Sequence, residues 1–174
     1  MVASRTIYAQ GAATHSPSAM LIETCRQQTS EHIRTVQGII CWFAEMLLKR
    51  GAEHDRSKLG SPELEGFAFR GRELSGLEYG SEEYQANLIR LNEILSHHYA
   101  ANRHHPEHFV DGVDGMNLID VVEMFCDWMA SARRNKGGNI YRSIEVGAER
   151  FQLDPQLVKI LINTADALGG SYRP

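Results

Sequence analysis

The sequence predicts an all-α fold. Three observations carry this expectation: apolar residues recur three and four apart in successive segments, cap and stop residues bracket those segments, and no stretch of strand length shows β-branched alternation. With 174 residues, 43% of them hydrophobic, the chain can close one core. The expected organisation is a loose amino-terminal arm over residues 1–18 and one helical bundle domain over residues 19–174.

The first helix runs from about Met20 to Arg50, where Cys25, Thr29, His32, Val36, Ile39, Phe43 and Leu47 form one seam and Gly51 is a stop signal. Ser61-Pro62-Glu63 reads as a cap followed by proline, opening a shorter helix to about Arg72. Ser81-Glu82-Glu83 opens a third, with Tyr84, Leu88, Leu91, Leu95, His98, Asn102 and His105 on its stripe and an end near Arg103 or His104 imposed by Pro106. Asn117 caps a fourth helix whose buried positions are expected to be Leu118, Val121, Val122, Phe125, Trp128 and Met129. Two more, about Tyr141 to Phe151 and Pro155 to Leu168, complete the chain.

A formal charge of −4 lacks the basic excess that binding to a nucleic-acid polymer needs, although a small anionic substrate stays possible. Cys25, Cys41 and Cys126 are odd in number and widely spaced, and read as buried thiols in a reducing compartment. The longest apolar run is interrupted by Glu45, so no membrane span is expected, and the start of the chain has no signal-peptide core. A cytoplasmic location follows as the expectation.

Five of the eight histidines fall between Ser96 and Phe109. His97 and His104 are seven apart on one helical stripe, and His98 and His105 seven apart on the next, so either pair can aim two imidazoles in one direction. His108 fits a solvated helix end. His32 occupies a seam position where an aliphatic residue would be easier, and His54 and Asp55 are adjacent, three residues before Lys58. Asp127 lies in a helix expected to be buried, where a carboxylate is costly unless paired or metal-bound, and Asp120 and Glu123 share its face as alternatives. Imidazole and carboxylate together suit divalent Mn, Fe or Co.

The order His32, His54-Asp55, paired histidines, Asp127 resembles the HD-domain superfamily of metal-dependent phosphohydrolases over about Glu31 to Arg134. "HDRSKL" is similar to the HDxGK of many members, with Ser57 where glycine is usual. "HHPEHFVDGVDG" is similar to the HD-GYP branch, though GYP itself is absent. Short bacterial and phage HD-like proteins that carry HDxSK, NRHHPEH and EMxCDW look closer still.

The resemblance implies an all-helical HD fold with one or two divalent ions (Mn, Fe, Co or Mg). His32, His54, Asp55 and Asp127 would be primary ligands, and histidines drawn from His97, His98, His104 and His105 would hold a second ion, with Asp55 as bridge. Lys58 would contact a phosphoryl oxygen, Arg103, Arg133, Arg134 and Lys136 could clamp further phosphates, and Glu63 or Glu65 could protonate the leaving group. Phe67, Phe69 and Tyr79 could stack on a base or pack in the core. The implied activity is hydrolysis of a small phosphorylated substrate, a (deoxy)nucleotide first, in a chain expected to form a homo-oligomer. A di-iron oxygenase on the same fold, or a metal-stabilised binding or accessory protein, is the alternative.

Overall fold

The computed structural model describes residues 17–73, 82–134 and 138–169. The fold is all-α: the described residues form six helices, α1 (Ala19–Glu53), α2 (Glu63–Glu73), α3 (Glu82–Ala101), α4 (Leu118–Arg134), α5 (Ile140–Phe151) and α6 (Pro155–Ala167), with 3-10 turns at Arg56–Leu59, Pro106–His108 and Gly112–Gly115 and no strand. None of these helices is long and apolar enough to cross a membrane. Tyr79, Lys136 and most of the expected arm lie outside the described residues, as does the side chain of Phe69.

The chain forms two compact units that divide between Ala44 and Glu45, inside α1. In the first unit α1 is a regular helix with no buried residue. Its apolar side chains are open to solvent, with Leu21, Ile39, Ile40 and Trp42 all more than half exposed. Cys25, Cys41 and Cys126 are exposed, not buried as expected. The first two lie on a helix that buries nothing, and Cys126 points away from the buried side of α4.

In the second unit α1 continues through Gly51 to Glu53. Glycine lowers helix propensity by only about 1 kcal/mol, and the ladder carries past it. The apolar core is built by α4, α5 and α6 and the turn between the last two, from Phe125, Met129, Ile140, Ile144, Leu153, Leu161 and Ala165. Each large side chain buried there contributes about 1.5–3 kcal/mol. Caps fix where these helices begin: Asn139 accepts from Tyr141 N, and Asp154 accepts from Gln156 N just before Pro155. Gly147 is the close approach of α5 to α4, since a Cβ there would lie 2.3 Å from the Trp128 ring.

Two features differ from expectation with consequences for the site. α3 ends at Ala101, so His104 and His105 leave it and sit in the turn before Pro106. The buried side of α4 is rotated from the expected one: Ile119, Asp120, Glu123, Met124, Phe125, Met129 and Ala132 are buried, whereas Leu118 is 70% exposed. Two carboxylates thus face inward.

Candidate metal centre

Four segments of the second unit meet at one polar cluster. The turn after α1 brings His54 and Asp55, and Asp55 takes a left-handed backbone (φ 55°) that Asp tolerates better than most residues. Its carbonyl then accepts from Lys58 N at 2.9 Å, closing the 3-10 turn that carries Ser57 and Lys58. The last turn of α3 brings His98, the turn after it His104 and His105, and α4 brings Glu123 and Asp127.

Asp55, His98, His104 and His105 each place one donor atom within 4.8 Å of the others, and so do His54, Asp55 and Asp127. Asp55 belongs to both groups. A third combination joins His54, His104 and Glu123. Around Asp55, Oδ1 lies 3.4 Å from His98 Nε2 and 3.6 Å from His104 Nε2, and the two imidazoles of His98 and His105 meet Nε2 to Nε2 at 2.9 Å. His54 Nε2 lies 3.5 Å from Asp55 Oδ2 and 3.7 Å from Asp127 Oδ1.

The opposite ring nitrogens are held from behind by carboxylates. Glu63, fully buried at the start of α2, accepts from His97 Nδ1 and His98 Nδ1, both at 2.8 Å, and from the Ser57 hydroxyl at 3.0 Å. Asn102 donates to that hydroxyl at 2.8 Å. Glu123 lies 2.9 Å from His54 Nδ1 and 3.2 Å from His104 Nδ1, and its other oxygen pairs with Arg50. A carboxylate behind His54, His98 and His104 orients each of these rings and leaves its Nε2 to face the cluster, as in histidine metal sites generally.

Charge follows the same logic. Burial lowers the His98 pKa despite Glu63, so His98 is a neutral donor from Nδ1 and an acceptor at Nε2. Burial pushes His105 down to about 3. The carboxylates of Asp127 and Glu123 raise His54 to about 10. Burial works against the ionised forms of Glu63 and Asp127, yet their histidine partners hold both below the usual carboxylate range.

Asp55 Oδ1 and His104 Nε2 are buried without a hydrogen-bond partner, and the atoms nearest Oδ1 are themselves nitrogens with lone pairs to offer. Acceptor facing acceptor in a buried site is unfavourable unless a cation lies between them. The donor set, imidazole and carboxylate without thiolate, fits a first-row divalent ion.

The structure therefore brings together His54, Asp55, His98, His104, His105 and Asp127. Both members of the 104/105 doublet take part, because the chain has left the helix and its periodicity no longer sends one of them away. His97 is half exposed and spent on Glu63. His32 belongs to the first unit, is exposed there, and has no place in the three groups found among the described residues.

Lys58 Nζ lies 2.5 Å from Asp55 Oδ2 and 5.6 Å from the centre of the Phe67 ring. Glu63 is expected as a proton donor, but its oxygens are occupied by His97, His98 and Ser57 and it is held ionised. Arg103 is expected at a substrate phosphate, but its guanidinium forks onto fully buried Asp120, which also takes Arg50 and the Asn117 amide. Arg134 donates to Ser131, and Arg133 lines a separate cavity of about 330 Å³ with Met129 and Tyr141. Glu65 is exposed on α2. The residues that sequence reasoning passes over are Ser57, Asn102 and Arg50, whose roles depend on partners 6 to 73 positions away.

A model described as "Family of unknown function (DUF5662)" matches residues 21–167. Comparison with curated proteins and with solved structures finds no match.

Proposed function

The chain belongs to the family of unknown function DUF5662, and we propose that it is a metal-dependent phosphohydrolase acting on a small phosphorylated substrate, a (deoxy)nucleotide first. The observation that carries this reading is the position of Asp55, shared between His98, His104 and His105 on one side and His54 and Asp127 on the other. A carboxylate so placed can serve two ions at once. His98, His104, His105 and Asp55 would hold one, and His54, Asp55 and Asp127 the other.

Bound there, divalent ions would supply Lewis acidity toward a phosphoryl group and the water that attacks it. The chain's own residues do the rest. Glu63 and Glu123 keep the imidazoles oriented, so that no reorganisation is needed when substrate arrives. Lys58, ion-paired to Asp55 and partly exposed, offers its ammonium to an incoming phosphoryl oxygen.

A set of three imidazoles and one carboxylate also suits iron, which favours oxidation of a C–H bond by O₂ as the second reading. Elemental analysis of untagged protein purified without chelator, beside a Mn²⁺-supplemented screen of (deoxy)nucleotides for released phosphate or pyrophosphate, tests both. One or two equivalents of metal with phosphate release supports the hydrolase. Iron with O₂ consumption and no release supports the oxygenase, and absence of metal overturns both.

A further inference from the structure

We infer that the seam of α1 from Ile22 to Phe43 is the contact surface for a second copy of this chain, the two helices pairing antiparallel about a two-fold axis. Ile22, Cys25, Thr29, His32, Val36, Ile39 and Phe43 follow one another at alternating intervals of three and four. That spacing averages 3.5, the period that keeps a seam turned toward a partner helix along its whole length. Six of the seven are exposed and Phe43 is half-buried. Ile33 and Ile40, 49% and 62% exposed, widen the seam on one side.

The occupant is deduced from charge, shape and area. No seam position carries a formal charge, and of the flanking positions Leu21, Arg26, Gln28, Ile33, Thr35, Ile40 and Trp42 only Arg26 does. Flanking charges are what select a foreign helix, and this surface has almost none to read. Between Cys25 and Phe43 the seam changes in size: Cys25 and Thr29 are small, Ile39 and Phe43 large. An antiparallel copy sets Cys25 against Phe43, Thr29 against Ile39 and His32 against Val36, the larger on the smaller at each of these six positions, with Ile22 beyond them opposite Met46. A parallel copy would crowd Phe43 on Phe43 and leave a gap at Cys25.

The exposed apolar side chains present on the order of 500 Å² per copy, so pairing removes about 1,000 Å² from water, the lower bound for a specific interface. The first sixteen residues of the chain offer only Met1, Val2, Ile7 and Tyr8 as large apolar groups, without this repeat, and cannot fill seven positions.

Sedimentation velocity of the full chain tests the inference. A dimer at micromolar concentration is expected, weakened at least tenfold by Ile39→Glu with helical content unchanged by circular dichroism. A monomeric wild type overturns it, and so does a dimer indifferent to Ile39→Glu. The register has its own readout in a Cys41→Ser, Cys126→Ser background, where Phe43→Cys should yield an oxidised covalent dimer through Cys25. Crosslinking through Cys25 with Phe43 retained would mean a parallel pair and overturn the antiparallel assignment.

Discussion

Glu63 Oε2 and His98 Nδ1 are 2.8 Å apart, joining a carboxylate with no solvent exposure to a ring with almost none. This bond decides which face of His98 is free to bind. Glu63→Gln keeps the shape but removes the charge and cannot accept from His97, His98 and Ser57 together. Metal affinity should fall about 10–100-fold, with helical content retained. Calorimetric titration of the metal-free protein with Mn²⁺ checks this, and unchanged affinity would remove Glu63 from the site.

The pH dependence differs without and with metal. In the metal-free protein the carboxylates of Asp127 and Glu123 raise His54 to about 10, above the ordinary 6.5. Its contribution to stability is therefore fully present below about pH 6.5 and lost as pH rises toward 10. His105, depressed to about 3, works the other way, its contribution present above pH 6.5 and lost as pH falls toward 3. Thermal melts of the metal-free chain should thus peak near neutral pH. Ligation requires His54 to give up its Nε2 proton, so metal binding at pH 7 should release about one proton and tighten as pH rises. Titrations in buffers of different ionisation enthalpy count that proton.

Lys58→Ala should leave the metal content unchanged and lower turnover by about 10²–10³-fold, the scale of removing one preorganised donor to developing charge. Phosphate release measured beside metal content checks it. Loss of metal would instead give Lys58 the task of holding Asp55.

Much of the cluster is legible in the sequence because its donors are residue types that seldom occur together by chance. The all-α fold is equally legible, in the three-to-four spacing that runs through most of the chain. The supporting partners are not: Ser57 and Asn102 acquire meaning only when the turn after α1 meets the last turn of α3. Arg103 reads as a phosphate clamp until Asp120, seventeen positions away, is seen to occupy its fork. The His104-His105 doublet resists assignment because helical periodicity is the wrong rule once α3 has ended at Ala101. Glu63 is singled out by its place after the His54-Asp55 turn and expected to donate a proton, whereas only the fold shows its oxygens turned to imidazoles.

The core makes a prediction independent of metal. At Gly147 an added Cβ would stand 2.3 to 2.8 Å from three carbons of the Trp128 ring, which is also stacked on Phe151 at 6.3 Å between centroids. The indole has little room to yield, so Gly147→Ala should destabilise the chain by about 1–3 kcal/mol despite the better helix propensity of alanine. Chemical denaturation of the metal-free protein measures this, and a neutral or stabilising result would show that α5 does not approach Trp128 of α4 this closely.

Asp55 and Asp127 separate two ions from one. Asp55 is common to both donor groups, whereas Asp127 belongs only to the group with His54. If each group holds an ion, wild-type protein should carry two equivalents, Asp127→Ala one, and Asp55→Asn none bound tightly. Asparagine is the right replacement at 55 because it also tolerates the left-handed backbone there, so a loss of metal cannot be traced to the turn. Elemental analysis of the three proteins, with circular dichroism to confirm folding, gives the counts. One equivalent in the wild type, retained in Asp127→Ala, would assign the ion to Asp55, His98, His104 and His105 alone and make His54 an ion-pair partner of Asp127 and Glu123. One equivalent lost in Asp127→Ala would assign it to His54, Asp55 and Asp127, leaving the three remaining imidazoles to a substrate.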